Sequence, residues 1–175
     1  MRRHLAYVVT LAEEAMAQLK GADQQAWLDR LETEHDNVRA APSYSRTPGA
    51  EASGLRRVAA PWFFWLLHGH VAEGRSHLSA ALSRARDQDQ AITARALSGA
   101  AILAFEQGDY GAARPLCQDA LTMQESSGNR AGMAMSWHVL ASLNQIKGNH
   151  ESARTTRKAS LYNGSWAIRR ASQTR

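Results

Sequence analysis

One cysteine, Cys117, in 175 residues leaves no disulfide framework and no multi-cysteine zinc site. Long apolar runs are also missing. The longest, Trp62 to Leu67 (WFFWLL), falls far short of the roughly 20 residues that cross a bilayer. The opening MRRHLAYVVTLAEEA starts basic, but Glu13 and Glu14 follow and no small-residue cleavage site appears, so it makes a poor secretory signal. No GxxxxGK[ST] phosphate loop occurs anywhere. No convincing strand pattern appears either, so no serine can sit in a strand-to-helix elbow. The cytoplasm is the expected compartment.

Acidic residues are nearly absent from the last part of the chain. Residues 126–175 hold eight Lys/Arg against one Asp/Glu, while the first 53 hold six against eight. The formal net charge of +5 is therefore concentrated at the C-terminal end, an asymmetry that hints at an acidic partner or nucleic acid. Hydrophobic residues at 44% and charged residues at 21% otherwise describe a globular chain.

What the sequence has in abundance is helical periodicity. Leu5, Val8, Ala12, Ala15, Met16 and Leu19 recur at spacings of three and four, the stripe of an amphipathic helix. Gly21 can end that helix, and Asp23 is placed to cap the next. The second helix carries Trp27, Leu28, Leu31, His35 and Val38 on one side, and Pro42 should stop it. Residues 43–54, small and polar, read as a loop.

Beyond the loop the chain repeats. HGHVAEGR (68–75), QGDYGAAR (107–114) and KGNHESAR (147–154) align at offsets of 39 and 40. Gly69, Gly108 and Gly148 correspond, as do Arg75, Arg114 and Arg154, and Leu82, Leu121 and Leu161. Each unit reads as helix, tight Gly turn, helix, then a longer connection. Asp109 and Asn149 stand where a helix N-cap belongs, and His70 takes that place in the first copy. Alanines such as Ala100, Ala101, Ala104, Ala113, Ala141 and Ala153 let paired helices approach, while Leu97, Leu103, Leu116, Trp137, Leu140 and Leu143 fill the space between units. One hairpin cannot bury both its faces, so units must stack.

These hairpins resemble tetratricopeptide repeats. Leu97, Ala101, Gly108, Tyr110, Ala113 and Ala120 fall at that motif's positions in the middle unit, and Trp137, Leu140, Ala141, Gly148 and Ala153 in the last. AWLDRLETEHDNVRAA (26–41) and WFFWLLHGHVAEGRSHLSAAL (62–82) are similar to bacterial LuxR-type and AfsR-type regulators, in the segment that follows their signal-transduction ATPase. The resemblance implies a cytoplasmic transcriptional regulator whose helical repeats sense an effector or partner. The chain departs from that pattern in lacking the phosphate loop and any placeable helix-turn-helix, which suggests a fragment, split gene or decayed copy. Prolines 42, 61 and 115 interrupt helical segments, and Pro115 is expected to kink or break its helix.

The expected architecture is all-α, a right-handed helical-hairpin solenoid. Its parts are an N-terminal helical pair (1–42), a loop (43–54), three hairpins within 55–162 (about 55–86, 94–125 and 133–162) and a basic tail (163–175). No catalytic, cofactor or metal site is expected. His68, His70 and His77 could converge, but no recognisable ligand set completes them. Cys117 reads as a small buried hydrophobe.

The expected function is interaction with a protein or a small effector, through residues projecting from first helices: Arg95, Ser98, Ser136, His138 and Asn144. A secondary reading is nucleic-acid binding by a basic patch of Arg154, Arg157, Lys158, Arg169 and Arg170, with Trp166 as a stacking aromatic. Leu161 and Tyr162 would lie uncovered at the end of the stack unless Trp166 and Ile168 fold back, so self-association is expected there.

Overall fold

The computed structural model describes residues 24–34, 55–84 except 57, and 89–146, together with Tyr7, Thr10, Leu11, Glu14 and Ala15. The helices named along it are α1 (Gln24–Thr33), α2 (Trp62–Leu67), α3 (Val71–Leu82), α4 (Gln90–Glu106), α5 (Tyr110–Ser126) and α6 (Arg130–Ile146). Among the described residues there is no strand. Consecutive helices from α2 onward pack antiparallel, with α4 on α5 the most extensive pairing. The first helices α2, α4 and α6 also touch one another in that order. This is a helical-hairpin solenoid, with one continuous core running from Leu11 through Trp62 and Leu103 to Leu143.

Turn chemistry sets the hairpins. At the end of α4 the amide of Gly108 bonds the Phe105 carbonyl at 3.0 Å and that of Asp109 bonds the Ala104 carbonyl at 2.9 Å. This paired closure needs a left-handed residue, which Gly108 supplies at φ 76° without steric cost. Asp109 then begins the next helix, its carboxylate accepting from the Ala112 amide at 3.1 Å.

The same device recurs where a longer connection between units is expected. Gly128 has φ 66°, the Asn129 amide bonds the Gln124 carbonyl at 2.9 Å, and the Asn129 side chain accepts from the Gly132 amide at 3.0 Å. Helices therefore start earlier than the repeat alignment indicates, α4 at Gln90 and α6 at Arg130. Asp89 caps α4, accepting from the Ala91 amide at 2.7 Å. His70 stands at the N-cap of α3 but makes no side-chain cap bond.

Pro115 does not break its helix. α5 runs unbroken from Tyr110 to Ser126 with the ring inside it. The proline is exposed, and the amide hydrogen it lacks would have served the carbonyl of Gly111, also exposed, which water can satisfy. Pro61 does mark a boundary, standing at the N-cap of α2.

Two glycines are required by packing instead of by turns. A Cβ on Gly74 would lie 2.6 Å from Trp65 Cγ, and one on Gly99 would lie 2.8 Å from Trp62 Cβ. Each indole thus rests on bare helix backbone, which is how two large rings fit between close-packed helices. In the N-terminal stretch Leu11 and Ala15 are buried, although Leu11 lies outside the expected apolar stripe. Leu31 is buried and Trp27 half-buried, as the α1 pattern predicts. His35, Val38, the loop at 43–54, Asn149 and Leu161 lie outside the described residues.

Candidate interaction surface

The five residues expected to project from first helices separate into two groups. Arg95 on α4 and His138 on α6 are exposed. Ser98, Ser136 and Asn144 are not, at 2%, 1% and 6% exposure, and so cannot line a docking face. Their polarity is spent inside the stack. Gln124 of α5, itself 1% exposed, donates from Nε2 to the Ser98 hydroxyl at 2.8 Å and accepts at Oε1 from the Ser136 hydroxyl at 2.8 Å. The network ties α4, α5 and α6 together, and each buried polar atom in it has its partner, as burial demands. Gly132 makes room for it, since a Cβ there would lie 2.8 Å from the Gln124 amide carbon. Asn144 accepts from the Arg114 guanidinium at 2.8 Å.

Arg114 is one of the repeated arginines, and its counterpart Arg75 behaves alike. Arg75 donates to Gln107 at 2.8 Å and pairs with Asp109, reaching from α3 into the following turn. The guanidinium beside Asp109, helped by the Ala112 amide, holds that carboxyl below its ordinary range. These arginines are seams between units and not an outward charge.

On the first helices α4 and α6 the exposed surface is narrow. The middle of α4, from Ala96 to Ala104, is buried on every side, so the inner face of the central hairpin is closed. α6 stays open along Ala131, Met135, His138, Ser142 and Gln145, of which Ala131, His138 and Gln145 are exposed and the other two half-buried. The spacing of four, three, four and three is one helix stripe. Ile146, half exposed, ends it beside Gln145. At the start of the neighbouring first helix α4, Ala91 and Arg95 are exposed too.

The histidines disperse. His68 Nδ1 lies 2.5 Å from Glu32, His77 Nε2 lies 3.6 Å from Glu73 and faces the Trp65 ring, and His70 stacks on Phe64. Among the described residues no three His, Cys, Asp or Glu side chains come close enough to hold a metal. Cys117 is buried, donates to the Ser136 carbonyl at 3.2 Å, and has its thiol pushed up to about 12 by that burial. Such a thiol is neither nucleophile nor ligand at neutral pH. The basic patch (Arg154, Arg157, Lys158, Arg169 and Arg170) and the end-of-stack residues Tyr162, Trp166 and Ile168 lie outside the described residues. No described helix is long and apolar enough to cross a membrane.

Comparison with known proteins agrees with the hairpins. Residues 92–161 match the tetratricopeptide repeat family, so this region is tetratricopeptide-like. The sequence has no match among curated proteins.

Proposed function

We propose that this chain is a non-catalytic protein-interaction module whose contact face is the open stripe of α6 with the start of α4. The observation that carries this reading is the contrast between the first helices α4 and α6. The centre of α4 is buried all round, whereas α6 keeps Met135, His138, Ser142 and Gln145 accessible in one row. Tetratricopeptide repeats generally bind protein partners, and a peptide or helix laid along that row would meet Arg95 at its edge. A photo-crosslinking residue placed at 138 or 95 should capture a partner in cells, and one at the exposed Gln118 of α5 should not. Equal labelling at all three positions would refute the assignment.

The finer reading is that the module belongs to a cytoplasmic regulator of the LuxR/AfsR type, where it would sense an effector or partner. Its support is the likeness of residues 26–41 and 62–82 to such regulators. An antibody against residues 23–41 should then detect, in native cells, a polypeptide well above 19.2 kDa. A band at that mass alone would speak for an independent adaptor.

A further inference from the structure

We infer that α1, together with the positions Tyr7, Thr10, Leu11, Glu14 and Ala15, forms a further repeat unit, and that this unit closes the N-terminal end of the stack with a polar outer face. Aligning Asp23 with Asp109 in sequence sets an offset of 86, which places Leu11, Ala15 and Leu31 opposite Leu97, Ala101 and Cys117. All six are buried, and all but Leu97 are at 2% exposure or less. The first hairpin follows the same register with Val58, Trp62 and Leu78, which are buried too. Tyr7 lies close enough to Arg30 of α1 to raise its basicity, and Arg30 sits 4.9 Å over the Trp27 ring.

The seam follows the same order of units, with Glu32 one turn past the place that this offset gives to the repeated arginines, Leu28. Glu32 of α1 reaches His68 at 2.5 Å, Arg75 of α3 reaches Gln107, and Arg114 of α5 reaches Asn144. In each pair a second helix contacts the next unit at the end of its first helix or the turn after it. α1 therefore occupies the second-helix place of a unit preceding α2 and α3.

The outer face is where this unit differs. In the middle hairpin Ala96, Gly99 and Ala100 are buried, and Gly99 receives Trp62 from the preceding unit. In the last, Ser136, Val139 and Leu140 hold those places and are buried; in the first, Ala60 and Pro61 hold two of them and are buried, and Arg57, at the third, lies outside the described residues. The N-terminal unit has Thr10 and Glu14 at the places of Ala96 and Ala100, and both are exposed. A carboxylate such as that of Glu14, where Ala100 and Leu140 are buried in the later units, cannot receive another hairpin without being desolvated. Terminal repeats of stacked arrays need such a polar outer face to stay soluble.

The test uses the full chain. Thr10→Leu/Glu14→Leu should keep the wild-type circular dichroism, while its mass by sedimentation rises with concentration toward twice that of the wild type under the same conditions. Thr10→Gln/Glu14→Gln should track the wild type. A leucine variant that keeps the wild-type mass at every concentration would overturn the capping assignment. Placement in the stack is read separately by amide hydrogen exchange of the wild type. Leu11 and Leu31 should exchange with the same protection as Leu78, and protection at the level of exposed termini would remove this unit from the repeat array.

Discussion

Arg75 and Asp109 meet across the seam between two hairpins, and the same carboxylate caps α5 by accepting from the Ala112 amide. One side chain thus fixes both the start of a helix and its position against the preceding unit. The pairing, with the Ala112 amide, lowers the pKa of Asp109 in the folded state. A depressed carboxyl contributes stability that is present above its unfolded value, about 3.9, and is lost as pH falls through the lower folded value. Urea midpoints followed from about pH 6 downward should therefore drop on acidification. Asp109→Asn keeps an oxygen for the cap, so it should flatten that acid limb while lowering the plateau only slightly. An unchanged limb would show that the ion pair does not couple to folding.

The indole-on-glycine contacts predict an asymmetric mutational response. Ala has the better helix propensity, by about 1 kcal/mol. At Gly74 and Gly99, however, the new methyl would sit within 2.8 Å of indole and Cβ atoms that lie close to their own backbones and cannot swing aside. Overpacking of this kind costs roughly 1–3 kcal/mol, so Gly74→Ala and Gly99→Ala should both be net destabilising by chemical denaturation. Trp65→Leu keeps the Cβ and Cγ that make the first contact, so it should not rescue Gly74→Ala in a double variant.

Gln124 offers a sharper case, because its two partners come from different helices. Gln124→Ala strands the hydroxyls of Ser98 and Ser136 and opens a void, so a loss of roughly 2–4 kcal/mol is expected. The triple variant Ser98→Ala/Gln124→Leu/Ser136→Ala removes the polar atoms together and should recover most of that loss. Failure to recover would mean that the hydrogen bonds themselves, and not the side-chain volume that leucine refills beside Gly132, hold the site together.

That network also explains where sequence legibility ends. Gly69 and Gly108 were legible as turns because only glycine takes a left-handed φ cheaply, and Asp109 as a cap because a short acceptor follows such a turn. Gly128-Asn129 carries the same chemistry, yet it lies between repeats, so alignment by period concealed it as part of a longer connection. Ser98 and Ser136 looked outward because isolated serines on a helix usually face water. Their acceptor and donor, Gln124, stands 26 and 12 residues away, and no local pattern announces it. Asn144 was misplaced for the same reason, its partner Arg114 lying 30 residues earlier. Arg95 and His138 followed the simple rule and are exposed.

Pro115 adds a prediction about α5. Its position costs one intrahelical hydrogen bond and disfavours the helical conformation of Arg114 just before it. Replacing it with alanine restores the bond to the Gly111 carbonyl and improves propensity, with no buried contact to lose because the ring is exposed. Pro115→Ala should stabilise the protein by roughly 1–3 kcal/mol, read as a higher urea midpoint with an unchanged slope.

Cys117 supplies a probe of the whole stack. Its thiol is held near 12 by burial, above the unfolded value of about 8.5, so the folded form keeps its proton where the unfolded chain has lost it. For a group raised in this way, the contribution to stability is fully present below the unfolded value and declines as pH rises toward the folded one. Stability should therefore fall between about pH 8.5 and higher pH in the wild type, and Cys117→Ala should lack that part of the decline. Reagent access gives the same answer by another route. Ellman's reagent at about pH 8 should react with the folded chain only as fast as it opens, and at once in concentrated urea. Because Cys117 donates to Ser136 across the α5–α6 interface, its labelling rate reports on the joint that carries the open stripe of α6. A partner that docks on that stripe should slow the labelling, whereas one that binds elsewhere and leaves the joint alone should not.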